Sequence, residues 1–336
     1  PFVGAYAWIL LLGRSGLITK AIYNWFNIQI PSIYGFSGVV LVLSLQLYPL
    51  VFLIVSGALR NLDNSLLEAS QNMGCSGVRR FFRVILPLTM TSILASSLLV
   101  FMRAMADFGT PLLIGEGYRT FPVEIYKQYV GETSQNHSFA AAIGVIAIAI
   151  TALVFLVQKL GANLFSYKMT ALRSIERRRA KPLVSFFLHL YTYAVVTLSM
   201  LPQAYLVYLS FRRTNAFGNF TAGYWFGNYE RAWRMVRTSL PNTLIMGGAA
   251  IAAVVVLSVL IAYLVVRRRN AVNNLIDTMS MLPYVIPGSV VGIALVISFS
   301  SGPLVLTGTM LIMIVAMCIR RIPYTIRSSV AILQQI

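Results

Sequence analysis

The side chains able to do chemistry are few in this 336-residue chain, and they are scattered. Its two histidines, His137 and His189, lie far apart, and its two cysteines, Cys75 and Cys318, have no partners at metal-ligand spacing. Every Asp and Glu falls in a polar stretch or at the edge of an apolar run. This pattern offers no catalytic group, no metal site and no disulfide framework, and it disfavours a membrane enzyme. No G-x-x-x-x-G-K-[ST] loop occurs, so ATP would have to be bound by another subunit. What remain are charges that can pair or line a path. Arg103 and Asp107 stand four apart near one end of an apolar run, a spacing at which they pair on one helix face. A charge at such a depth is a pathway or gate residue by default, and the alternative is a snorkelling arginine with a local partner. Arg320 and Arg321 stand one turn before Pro323, either facing a central cavity or marking an exit. Pro49 and Pro323 interrupt their runs and free backbone carbonyls, as hinges or as kinks satisfied by neighbouring helices.

The elements that must position these residues follow from composition. The chain is 58% hydrophobic and 11% charged, against about 25% charged in soluble domains, so it has too little polar surface to cover a water-soluble globule. An integral membrane protein is expected. Its net charge of +18 is therefore to be read along a topology and not as a nucleic-acid footprint. Apolar runs lie at 37–59, 84–106, 139–158, 184–211, 240–266, 279–299 and 303–319. A shorter run from Pro1 to Leu12 is expected to be a span cut by the start of the chain, which makes eight spans. Helices are required because lipid offers exposed backbone no partner, and no stretch alternates as a barrel strand would.

One polar island, Arg60 to Pro87, separates two of these runs. It opens as a short amphipathic helix, with Ser65 and Glu68 at the spacing of a capping box and Leu62, Leu66 and Met73 on one face. Gly74 stands where a left-handed cap would end that helix, and Gly77 gives a second loose point. Arg79, Arg80 and Arg83 are expected at headgroup level, with Phe81 and Phe82 at the apolar boundary and Pro87 just inside the next span. Placing the island in the cytoplasm puts 17 Lys and Arg on cytoplasmic segments and 9 on external ones, in the sense of the positive-inside rule. The segment 212–239, with five arginines, goes against the trend as an external loop. Its aromatic stretch, Tyr224, Trp225, Phe226 and Tyr229, reads as an interfacial belt or as a docking surface for an extracellular partner. Residues 161–183 form a basic cytoplasmic linker held near anionic lipid.

The linker divides two related halves. Pro283 to Ser298 echoes Pro1 to Gly13, and Ile322 to Ile336 echoes Tyr48 to Leu62 with Pro323 falling on Pro49. Equivalent spans run in the same direction, a parallel repeat about an axis along the membrane normal. On this register Ile336 matches Leu62, so the chain is expected to be a piece of a longer protein. It would hold the end of one half (1–160, with the polar loop at 62–87) and the start of another (184–336).

The island also carries a resemblance. Glu68-Ala69-Ser70, then Gly74, Val84, Leu86 and Pro87 resemble the EAA loop of ATP-binding-cassette (ABC) importer permeases, with the family's spacing kept. Ser70 stands where that family usually has alanine and Val84 where it usually has isoleucine. The resemblance implies an all-α polytopic bundle of the type I importer kind, with two pseudo-symmetric halves, in a bacterial inner membrane. It implies that Glu68, Ala69, Ser70, Gly74, Leu86 and Pro87 form a coupling loop docking on a cytoplasmic ABC ATPase dimer, which binds the ATP. An extracytoplasmic binding protein would deliver the substrate; membrane lipid, and no nucleic acid, completes the partners. G-A-Y-A-W at 4–8 and A-D-F-G-T-P-L-L-I-G at 106–115 resemble the ferric-iron group of these permeases. A similar group serves 2-aminoethylphosphonate, and polyamine, thiamine and sulfate systems are more distant. An ion-coupled secondary transporter is the rival of another class, disfavoured because such proteins commonly place carboxylates within the bilayer.

Overall fold

Backbone that lipid cannot satisfy must bond to itself, and the computed structural model meets that demand with fourteen helices among the described residues. It describes residues 2–130, 136–164, 181–215, 220–268, 270–286 and 288–333. Contacts divide the chain into two units, Pro1–Thr120 with Ala149–Leu206, and Phe121–Ile148 with Val207–Ile336. Two long helices, α9 (His137–Leu164) and α10 (Pro182–Ser210), contribute to both.

In the first unit α1 (Phe2–Leu12) turns into α2 (Leu17–Phe26) and packs on α7 (Gly109–Ile114). α3 (Phe36–Arg60) and α6 (Leu86–Met105) pack side by side, joined by a connection that carries α4 (Asn64–Asn72), α5 (Gly77–Arg80) and a π-helical turn at Phe81–Ile85. The core of this unit gathers Ala5, Trp8, Leu11, Ile33, Val42 and Ile114. In the second unit α8 (Phe121–Val130) precedes a two-stranded antiparallel hairpin, β1 (Arg212–Thr214) with β2 (Phe220–Tyr224). α11 (Gly227–Arg267), α12 (Ala271–Val285), α13 (Gly288–Ser298) and α14 (Met310–Leu333) follow. α11 and α14 make the largest packed surface, with Ala250, Val254 and Cys318 in one buried cluster and Ala262, Ile326 and Val330 in the next. Apolar side chains face outward all along α10, among them Leu183, Phe186, Phe187 and Tyr191. That is the pattern of a helix whose surroundings are themselves apolar.

Among the described residues six segments are long and apolar enough to cross a membrane: Phe2–Phe26, Phe36–Arg60, Gly77–Met105, His137–Gln158, Pro182–Ser210 and Gly227–Arg267. The eight expected runs differ from these at the second half. The run 279–299 is two helices, because Ile286 is extended (φ −79°, ψ 127°), the conformation a following proline imposes on the residue before it. The run 303–319 begins as irregular chain; its helix starts at Met310 and continues past the apolar stretch to Leu333. The segment 212–239 is not a loop throughout. It holds the hairpin and then the opening turns of α11, whose 41 residues span roughly 60 Å, about twice the hydrocarbon thickness. Residues 165–180, most of the basic linker, lie outside the described residues.

Candidate functional site

The polar connection between α3 and α6 is anchored at its start and open at its tip. Leu62, Asp63 and Asn64 are buried, whereas Leu66, Glu68, Ala69, Met73, Gly74 and Val78 are exposed. Asp63 caps α4: its backbone is extended (φ −79°, ψ 126°) and its carboxylate accepts from the Ser65 N–H at 2.9 Å. This corrects the expected capping box. Ser65 already lies inside the helix, and Glu68 accepts instead from the Asn64 amide at 2.7 Å. Asp63 could have been found from its type, since Asp caps as well as Ser and comes first in the chain.

The other end of α4 is as expected. Gly74 is left-handed (φ +79°), its N–H bonds the Gln71 carbonyl (2.9 Å), and the Cys75 N–H bonds the Ser70 carbonyl (2.9 Å). These two bonds form a Schellman motif. Nothing lies within 4 Å of where a Gly74 Cβ would be, so conformation and not space requires glycine there. Ser70 is buried, and its hydroxyl donates to the Leu67 carbonyl at 2.7 Å. The hydroxyl that departs from the family's alanine therefore bonds within its own helix and is not presented at the exposed face.

Gly77 is also left-handed (φ +54°), and Arg80 reaches back to the Gln71 side chain at 3.3 Å. Phe81 and Phe82 meet edge to face, 5.2 Å between centroids, and both are exposed. Across the π-helical turn the Leu86 N–H bonds the Phe81 carbonyl, five residues back. Leu86 and Pro87 open α6, where Pro87, lacking an N–H, needs no acceptor in the preceding turn. The loop thus presents a short helix with exposed Glu68, Ala69 and Met73, rigidly stopped, on a sharply re-entering chain. Such a surface can fit a groove on another protein.

The candidate pathway residues fall in both units, Pro49, Arg103 and Asp107 in the first and Pro323, Arg320 and Arg321 in the second. α6 ends at Met105, so Asp107 lies beyond it and the four-residue spacing to Arg103 does not fall on one helix face. Asp107 is buried and caps the turn into α7, its two oxygens accepting from the Thr110 N–H (3.2 Å) and hydroxyl (3.0 Å). Arg103 is exposed on the last turn of α6. Pro49 and Pro323 sit inside unbroken helices, each thirteen residues after the helix start, from Phe36 and from Met310. Pro323 is fully buried. Arg320 and Arg321 line a cavity of about 300 Å³ against α13. An ion pair the sequence does not reveal joins α12 to α14: Arg327 to Asp277 at 3.4 Å, fifty residues apart. In the aromatic stretch, Arg231 stacks over Trp225 at 4.9 Å, and Phe211 packs on Phe226 and Tyr229.

The family described as "binding-protein-dependent transport system inner membrane component" matches residues 3–163. The ferric transport system permease protein FbpB of Actinobacillus pleuropneumoniae is 29% identical over 100% of this chain and 50% of its own length. The molybdenum transport system permease protein ModB of Escherichia coli K12 is 30% identical over 47% of this chain and 69% of its own length. The putative 2-aminoethylphosphonate transport system permease protein PhnU of Salmonella typhi is 29% identical over 48% of this chain and 57% of its own. The chain spans about half the length of the ferric permeases it matches, 50% and 54% of two of them. No solved structure matches it.

Proposed function

We propose that this chain, which belongs to the family of binding-protein-dependent transport system inner membrane components, forms part of the gated path of an ABC importer whose work is supplied by a separate ATPase. The observation that carries this reading is the loop at 62–87. It is a short exposed helix, capped by Asp63 and stopped by the Schellman turn at Gly74, with the acidic residue, the two small residues and the glycine at the spacing of a coupling loop. On this reading Glu68, Ala69 and Met73 dock in a groove of a cytoplasmic ATPase dimer, which binds the ATP, and an extracytoplasmic binding protein delivers the substrate. Ferric iron is the proposed substrate, because two relatives similar over the whole chain carry that name. The phosphonate and molybdenum relatives mark the alternatives.

The two-half reading extends to this function. It is supported by the family match stopping at residue 163 and by Pro49 and Pro323 standing at one position in helices of 25 and 24 residues. The test of coupling is Glu68→Lys in the reconstituted transporter. Insertion should be unaffected, since Glu68 is exposed and its 2.7 Å contact with Asn64 lies within the loop's own helix. Substrate-stimulated ATP hydrolysis should be lost. Unchanged stimulation removes the docking role.

A further inference from the structure

The depth of the chain between α1 and α3 can be read from α3, a helix of membrane length without a charge from Phe36 to Leu59. Its 25 residues reach roughly 37 Å at 1.5 Å per residue. A hydrocarbon layer about 30 Å thick therefore leaves each end of α3 within about 7 Å of an edge. At the start of α3 the Gly35 N–H bonds the Ile114 carbonyl at 2.8 Å, and the Phe36 ring meets that of Tyr118 at 5.8 Å. Glu116 lies between those two partners in the chain, and Arg14 donates to it at 2.8 Å while stacking over the Tyr34 ring at 5.6 Å. Arg14 thus stands at headgroup level, at the end of α3 opposite the loop at 62–87.

α2 follows at once and has three sides. Ile18 packs against the core of the unit. Leu17 and Trp25 fall on a second side by helical spacing and are exposed, Trp25 at 82%. Thr19, Lys20 and Tyr23 fall on the third and line a cavity of about 330 Å³, to which Arg14 contributes from before the helix and Ile28 and Gln29 from the chain after it. Among the described residues no carboxylate lines this cavity, and Glu116 touches its wall through Arg14. That pair is exposed on both sides, so it is weak and easily shared, and a guanidinium has five N–H donors to share. The Thr19 hydroxyl is buried and has no hydrogen-bond partner among the described residues, which leaves a donor over in the wall. A short helix with tryptophan on its outward side and basic residues beside it is the pattern of one lying in the membrane interface. Two cations against one carboxylate keep the cavity positive at the level where lipid phosphates lie.

We propose that this cavity holds the phosphate of an anionic phospholipid on the face opposite the loop at 62–87, with Arg14 and Lys20 taking its oxygens and the acyl chains lying along Leu17 and Trp25. Guanidinium and ammonium groups both match phosphate oxygens. The cavity volume is at the lower end of small-ligand sites, enough for a headgroup and not for the chains. A lipid fits better than a free phosphate because the exposed apolar side of the same helix stands at the same level, and a water-borne anion would leave it uncovered. The site stands without the permease reading, which serves only to make this face the external one.

The test is photolabelling of the whole chain in phosphatidylcholine vesicles that carry a trace of phosphatidylglycerol with a photoactivatable group on its headgroup, the labelled segment being read by mass spectrometry. Label should fall within residues 12–32. Unlabelled phosphatidylglycerol should chase it, and water-soluble glycerol 1-phosphate at the same concentration should not. Arg14→Gln and Lys20→Gln should each cut the label about fivefold, while Lys20→Arg, which keeps the charge, should hold it to within about twofold of wild type. Glu116→Gln removes the competing carboxylate and should keep or raise the label. Arg268→Gln, on the terminus of α11, should leave it unchanged. Because Arg14, Glu116 and Lys20 are exposed, the thermal midpoint in detergent should barely move in any of these variants, and Lys20→Arg guards against a glutamine variant that misfolds. No label within 12–32, or label indifferent to both glutamine variants, overturns the proposal. Chase by glycerol 1-phosphate as effective as by the lipid assigns the cavity to a free phosphate ester and overturns the lipid. A loss in Glu116→Gln equal to that in Arg14→Gln makes the pair a structural clasp and overturns the site as well.

Discussion

Replacing Gly74 separates a backbone effect from a contact effect, because nothing lies within 4 Å of its missing Cβ. Any loss on substitution therefore comes from the left-handed conformation (φ +79°) or from the side chain's clash with a docked partner. An L-residue in that region costs about 1 kcal/mol for alanine and about 2 for a β-branched residue. The alternative to bearing the strain is to open the two Schellman bonds at Gln71 and Ser70, each worth about 1 kcal/mol. Either way the docking-competent loop is depopulated about fivefold in Gly74→Ala and about thirtyfold in Gly74→Val. Asparagine enters the left-handed region more readily than alanine does, so Gly74→Asn should fall between wild type and Gly74→Ala. The assay is substrate-stimulated ATP hydrolysis of the reconstituted transporter as a function of ATPase concentration. The expected order of half-saturation is Gly, Asn, Ala, Val. Thermal stability of the bundle should barely move, since Gly74 is exposed. Volume predicts the opposite order for Asn and Ala. If Gly74→Ala couples better than Gly74→Asn, the conformational argument is wrong and a steric contact with the ATPase decides.

Asp107→Ala should destabilise the first unit by about 1–3 kcal/mol, because it leaves the buried Thr110 N–H and hydroxyl without their acceptor. Asp107→Asn should cost less, and a thermal midpoint in detergent unchanged by Asp107→Ala would remove the capping role. Cysteines placed at Tyr118 and at Asn215 should both react with an impermeant reagent from outside, and one at Lys181 should not. Protection of Asn215 while Tyr118 reacts would put the hairpin and the arginine-bearing start of α11 in the cytoplasm, reversing the expected topology after the linker.

What the sequence by itself determined is what depends on neighbours within a few residues. The acidic-to-glycine spacing of six, the left-handed stop at Gly74, the loose point at Gly77 and the membrane character all follow from residue types at short separation, where local backbone preference and hydration decide. Even locally the cap of α4 stands two residues before Ser65, at Asp63, because both residue types cap well and type alone does not choose between them. Apolarity was legible as a run, but the run is not the helix. Tertiary structure decided that 279–299 breaks at Ile286, that α14 continues past its apolar stretch to Leu333, and that Asp107 turns to Thr110. The level of α11 beside which Arg320 and Arg321 stand was likewise out of reach. It is set by α14 lying parallel to α11, with Cys318 against Ala250 and Ile326 against Ala262. Contacts of that kind join residues more than sixty apart, and packing complementarity between two apolar faces chooses among registers that hydropathy alone cannot tell apart.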